Sequence, residues 1–223
     1  MNEILWILTL VISFGLVLVS YKFIGKTGLY LWIAIATIIS NIQTVKLIDL
    51  YGFETSLGTI LYGSTFLSTD ILNLKYGSDS AKKSIIVGFI TMISMTFFMY
   101  VCLLYEPSVN DFSQESLYTI FSVNIRITMA SLISFVISQF FDAILFDKLQ
   151  KKYKKLWLSN NISTLVCQII DTVTFCFITY YGILNMNAIF EIIFSMYILK
   201  FIISLCDTPF IYLSKNMKNI NEL

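Results

Sequence analysis

The sequence predicts an all-α, polytopic transmembrane helix bundle of about seven spans, and three observations carry that prediction. Apolar residues make up 57% of the 223-residue chain, and mean hydropathy is +0.79. Only 13% of residues are charged, against about 25% in a soluble domain. The apolar runs approach the roughly 20 residues that a helix needs to cross a bilayer, and the charges cluster between them.

The first run spans Ile4 to Tyr21 and follows Met1-Asn2-Glu3. It lacks the basic start of a signal peptide, so a retained helix is expected. The second spans Leu29–Ile48. The third, Phe53–Leu74, is weaker and rich in Gly, Ser and Thr, with Gly58 and Gly63 among them. Small residues there fit close helix packing, or equally a broken helix opening onto a cavity. The remaining runs are Ser84–Tyr105, the long Leu117–Phe146, Ile162–Tyr181 and Ala188–Leu213, the last ending near Pro209.

The loops assign the orientation. Five lysines lie between Lys148 and Lys155, after the fifth run. Lys22 and Lys26, then Lys75, Lys82 and Lys83, and finally Lys215 and Lys218 mark the other basic segments. The alternate loops carry Asp49 and Glu54, then Glu106, Asp111 and Glu115. Basic loops stay in the cytoplasm, so seven spans place the N-terminus outside and the C-terminus in the cytoplasm.

Several function classes fall away. Histidine is absent, which removes His triads, relays and imidazole metal sites. Cys102, Cys167, Cys176 and Cys206 lie singly in apolar runs and read as small hydrophobes. Neither a metal site nor a cofactor is expected. The net charge of +1 gives no footprint for nucleic acid. No Gly-x4-Gly-Lys-Ser/Thr phosphate loop occurs.

Charges in mid-membrane cost roughly 2.5–3.5 kcal/mol each on insertion scales, so those inside the runs need a partner, a watery cavity or a function. The candidates are Asn41, Asp70, Arg126, Gln139, Asp142, Gln168, Asp171 and Lys200; Asp207 lies deeper toward the cytoplasmic side. Gln139 and Asp142 are three apart, as are Gln168 and Asp171, so each pair shares a helix face. Asp171 and Lys200 fall at similar depth on neighbouring helices and are placed to pair. Such a pair fixes helix register or serves a binding site. Asp70 and Asp142 have no evident cation at their depth, which suits them to carry a proton if transport is proton-coupled. Lys46 and Glu191 lie near the outer ends and can snorkel. Phe140 and Phe141, between Gln139 and Asp142, are candidate stacking faces.

The motifs Asn41-Ile-Gln43-Thr-Val-Lys46, Leu61-Tyr62-Gly63-Ser64, Ser68-Thr69-Asp70-Ile71 and Tyr76-Gly77 resemble the queuosine precursor transporter family, also described as vitamin-uptake-like. The resemblance continues through Pro107-Ser-Val-Asn110-Asp111-Phe112, Ser138-Gln139-Phe-Phe-Asp142, Gln168-Ile-Ile-Asp171-Thr172, Lys200 and Asp207-Thr-Pro209-Phe-Ile-Tyr212. It implies a six-span core over residues 28–223, with residues 1–27 an extra N-terminal helix. It further implies a bacterial inner-membrane importer of 7-deazaguanine bases for tRNA modification. The implied partners are that small molecule and the lipid bilayer, and a homo-oligomer stays open. A carboxylate suits such a cargo, because it accepts the ring N–H and the amino group of a guanine-like edge together. The rival readings are a substrate-binding component of a multi-subunit uptake system and an intramembrane aspartyl enzyme.

Overall fold

In the computed structural model, residues 1–50, 53–121, 125–182 and 185–220 are described. The described elements are helices, except for one hairpin. They are α1 (Asn2–Ile24), α2 (Lys26–Thr44), β1 (Leu47–Leu50), β2 (Phe53–Ser56), α3 (Thr59–Tyr76), α4 (Ser78–Leu103), α5 (Gln114–Phe121), α6 (Ile125–Tyr153), α7 (Leu156–Tyr180) and α8 (Met186–Asn216).

Single glycines make two of the reversals. Gly25 (φ 68°) separates α1 from α2, and Gly77 (φ 81°) separates α3 from α4. A positive φ is easy only for glycine, so each turn needs one residue. α1 and α2 then cross closely enough that a Cβ on Gly28 would collide with the Ser20 carbonyl.

The long helices run back and forth between two ends. At one end Asn2 donates to the Asp49 carbonyl of the hairpin. At the other, Tyr21 Oη donates to the Met217 carbonyl, Lys75 to those of Lys215 and Met217, and Asn219 to Tyr76 Oη. Tyr30 Oη also donates there, to the Ser80 carbonyl. The basic segments thus collect at one end, and the hairpin and residues 104–113 at the other.

α3 lies at the centre, packed against α1, α2, α4, α6 and α8. Its residues from Gly63 through Asn73 are all buried. Five helices are long and apolar enough to cross a membrane, namely α1, α4, α6 from Met129, α7 and α8. α2 and α3 are not among them; α3 carries too many Ser, Thr, Asp and Asn residues, and other helices surround it. Its hydroxyls are satisfied locally: Ser64, Thr65, Ser68 and Thr69 each donate to a carbonyl three or four residues back. Such back-bonding lets a polar helix survive without water.

Several segment bounds need correction. The second run ends as helix at Thr44 rather than Ile48 and the third begins at Thr59 rather than Phe53, since Leu47–Leu50 and Phe53–Ser56 pair antiparallel, Leu47 opposite Ser56 and Leu50 opposite Phe53. The long fifth run is helical on both sides of residues 122–124, which lie outside the described residues, as α5 and α6. Lys148–Lys155 is largely the last turns of α6 rather than a loop, and α7 starts at Leu156. α8 continues through Pro209 to Asn216; neighbouring helices tolerate such a proline in lipid. α3 is unbroken at Gly63, where a Cβ would strike the Ile203 side chain, so that glycine serves close packing. α1 packs against α2, α3 and α8, and its Phe14 and Val17 are fully buried in the main apolar cluster.

Candidate functional site

Polar residues on the inner faces of α3, α6, α7 and α8 converge inside the bundle. Lys200 on α8 donates from Nζ to Asp171 Oδ2 at 2.5 Å and to Thr172 Oγ1 at 3.0 Å. Both members of the ion pair are 4% exposed. Tyr62 Oη, on α3, donates to Asp171 Oδ1 at 2.9 Å. Ser138 Oγ on α6 reaches the same oxygen at 3.3 Å and shares its hydroxyl with the Phe135 carbonyl. The Lys200 ammonium also lies 5.7 Å from the centre of the Tyr62 ring. Four helices therefore meet on one carboxylate.

A second polar layer lies beside it. Gln139 on α6 is held at both ends of its amide by α3, donating to Thr65 Oγ1 at 3.1 Å and accepting from Thr69 Oγ1 at 3.2 Å. Asn73 on α3 donates to the Ala143 carbonyl of α6 at 2.9 Å. A third layer holds the fully buried Asp70 and Asp142, with Asp207 alongside at 1% exposure.

The sequence candidates thus divide. Asp70, Gln139, Asp142, Gln168, Asp171 and Lys200 are all at most 4% exposed and face the bundle interior. Asn41 stands apart, half-buried and bonded to the Thr37 carbonyl of its own helix. Arg126 is on α6, and its side chain lies outside the described residues, as does that of Glu191. Phe141 is 55% exposed and points outward, so it is no stacking face for the interior. Phe140 packs partly buried beside Ala81, Ile85, Phe135 and Ala143.

Sequence reasoning missed Tyr62, Ser138 and Thr172 as site residues. Ser138 and Thr172 adjoin Gln139 and Asp171 in the chain, a usable signal. Tyr62 stands in the motif Leu61-Tyr62-Gly63-Ser64, but an aromatic residue in an apolar run looks like packing.

The arrangement offers a buried carboxylate whose charge is balanced by one lysine, with two hydroxyls on its other oxygen. Outside the membrane-spanning helices, the Asp111 carboxyl is held below its usual range by the Ser113 backbone N–H and hydroxyl, which fixes the turn before α5.

A helix bundle with apolar outer faces and a charged interior is a multi-pass membrane protein built around an internal polar site. The comparisons carry this further. The family described as "Putative vitamin uptake transporter" matches residues 56–214, and the chain belongs to it. A Bacillus subtilis (strain 168) protein called "Probable queuosine precursor transporter" is 39% identical, over 97% of this chain and 96% of that protein. The Escherichia coli (strain K12) "Queuosine precursor transporter" is 28% identical over 64% of this chain and 62% of its own length. A Haemophilus influenzae relative, called "Probable queuosine precursor transporter", is 27% identical over 59% of this chain and 54% of its own. No solved structure matches the chain. Membership of a transporter family removes the aspartyl-enzyme reading.

Proposed function

We propose that this protein imports 7-deazaguanine queuosine precursors across a bacterial inner membrane, its N-terminus outside and its lysine-rich end in the cytoplasm. The names of its relatives support the cargo, and the positive-inside rule supports the orientation. The observation that carries the binding reading is the environment of Asp171. Its Oδ2 is anchored by Lys200, while its Oδ1 is occupied by two neutral hydroxyls, of Tyr62 and Ser138. Those hydroxyls hold the place of a substrate's two donors. The ring N–H and amino group of a guanine-like edge would replace them on the carboxylate, and Lys200 would keep it ionised and oriented.

The test is binding of labelled 7-cyano- and 7-aminomethyl-7-deazaguanine to purified wild type, Asp171→Asn and Lys200→Met. Asparagine turns one acceptor into a donor that faces a substrate donor, and it strands Lys200. A buried unpaired polar group costs about 1–3 kcal/mol, so affinity should fall at least about tenfold. Lys200→Met should act by the same route, and the double variant should be less than additive. Equal affinity in a folded Asp171→Asn protein would remove Asp171 as the reader. Uptake by wild type reconstituted alone would separate a self-sufficient importer from one component of a larger system.

A further inference from the structure

Asp70 on α3, Asp142 on α6 and Asp207 on α8 lie on the lysine-rich side of the Asp171–Lys200 pair. Lys200 and Asp207 share α8 seven residues apart, which is about 10 Å along its axis. Asp70 and Asp142 lie between the Thr69–Gln139 and Asn73–Ala143 hydrogen bonds that join α3 to α6, and Asp207 is held nearby on α8 by Asn160 of α7; the electrostatics couple the three carboxyls. Among the described residues, no well-formed hydrogen bond reaches any of the four carboxylate oxygens of Asp70 and Asp142; the buried Ser163 hydroxyl of α7 faces Asp142 but donates to the Asn160 carbonyl. Lys200, which pairs with Asp171, is the cation of the one described ion pair in the interior. The titratable groups facing the two aspartates are each other, Asp207, Cys167 of α7 and Tyr62 of α3. No group on α1, α2 or α4 is among those acting on them.

A second observation points to a positive species in the same place. Asn160 on α7 is fully buried and aimed at the cluster, its amide donating to Asp207 Oδ1 at 2.5 Å, yet its own Oδ1 has no partner. Thr164 Oγ1 and Gln168 Oε1 on α7, and Ser204 Oγ on α8, are likewise buried and unpartnered. Thr164, Gln168 and Asp171 fall on one helix face, and Ser204 lies four residues from Lys200 and three from Asp207. Unsatisfied oxygens therefore line the way from the ion pair to the three aspartates.

Ionised carboxylates away from water cost several kcal/mol each, and neighbouring ones repel. Two buried carboxyls side by side with no cation between them shed that cost when they share one proton. No set of three or more His, Cys, Asp or Glu side chains among the described residues is arranged to hold a metal ion. We propose that Asp70 and Asp142 share a transported proton, with Asp207 as its next station toward the lysine-rich end, so that the protein is a proton-coupled carrier. In the inward step a hydronium ion outside gives its proton to an ionised carboxylate, one of its O–H bonds breaking as a carboxyl O–H bond forms. That bond breaks when the proton leaves to water at the lysine-rich end, and nothing is oxidised or reduced. One positive charge moves with each molecule of the neutral 7-cyano base.

The site stands on its own geometry, and only the identity of the co-transported base rests on the function proposed above. The first arm of the test needs no base. Infrared spectra of wild type in proteoliposomes at neutral pH should show the C=O stretch of a protonated carboxyl. Asp70→Asn and Asp142→Asn should each remove or shift it. Its absence from wild type would overturn the proposal whatever the cargo. The second arm measures accumulation of labelled 7-cyano-7-deazaguanine with the lumen about one pH unit more alkaline. One proton per base gives about tenfold accumulation, lost with a protonophore and in Asp142→Asn. Accumulation driven by a sodium gradient instead, and indifferent to pH, would also overturn it. Failure of wild type to bind any 7-deazaguanine would defeat the cargo reading and leave the infrared arm to decide the proton site.

Discussion

Replacing Tyr62 with phenylalanine separates a residue that holds a substrate's place from one that holds the substrate. The ring should stay where it is, since it packs edge-on against Phe66 at 5.5 Å and tilted against Phe135 at 6.1 Å. The hydroxyl's 2.9 Å bond to Asp171 is lost, with its longer 3.4 Å contact to the Ser138 hydroxyl. A hydrogen bond to a charged group contributes about 1.5–3 kcal/mol. Ser138 still reaches the same oxygen, so the low end applies, about 1.5 kcal/mol. The ligand-free protein should lose that stability. The base no longer has to displace the hydroxyl, so its binding should tighten by the same amount, about tenfold in Kd. Thermal unfolding in detergent reads the first effect and equilibrium binding of labelled 7-cyano-7-deazaguanine the second. Weaker or unchanged binding by a folded Tyr62→Phe protein would refute the place-holder argument and put Tyr62 in direct contact with the cargo.

Two further predictions concern topology and packing. In a background without the native cysteines, a cysteine at Lys152 should be shielded from an impermeant reagent in intact cells, and one at Asn110 should react; the reverse pattern would invert the orientation. Gly28→Ala sets a Cβ against the Ser20 carbonyl, a backbone atom that cannot rotate away. Overpacking of this kind costs about 1–3 kcal/mol, so Tm should fall by at least about 2 °C in a chain of this size, and an unchanged Tm would show that α1 and α2 separate freely.

Hydropathy, charge alternation and the positions of buried polar residues are properties of the chain taken locally, and these were legible in the sequence. They indicated a membrane helix bundle, the segregation of lysines, and Asp171 with Lys200 as partners at one depth. Asp70 and Asp142 were legible as charges without a cation, because no lysine or arginine shares their depth. Segment ends were less so: the apolar residues around Leu47–Ser56 read as membrane helix, but they sit at the end of the bundle, where backbone groups can pair across a hairpin. α3 was the weakest span by hydropathy because its surroundings are protein, and which helix occupies the centre is a matter of how all of them pack. Tertiary structure alone decided which oxygens have donors. Asp171 meets Lys200, Tyr62 and Ser138 from three other helices, whereas Asp70 and Asp142 meet each other and no cation among the described residues. All are aspartates in apolar helices, and no local pattern separates them. The distinction arises from side chains distant in sequence, Tyr62 from Asp171 by 109 residues, which only the packing of α3, α6, α7 and α8 brings within a hydrogen bond's reach.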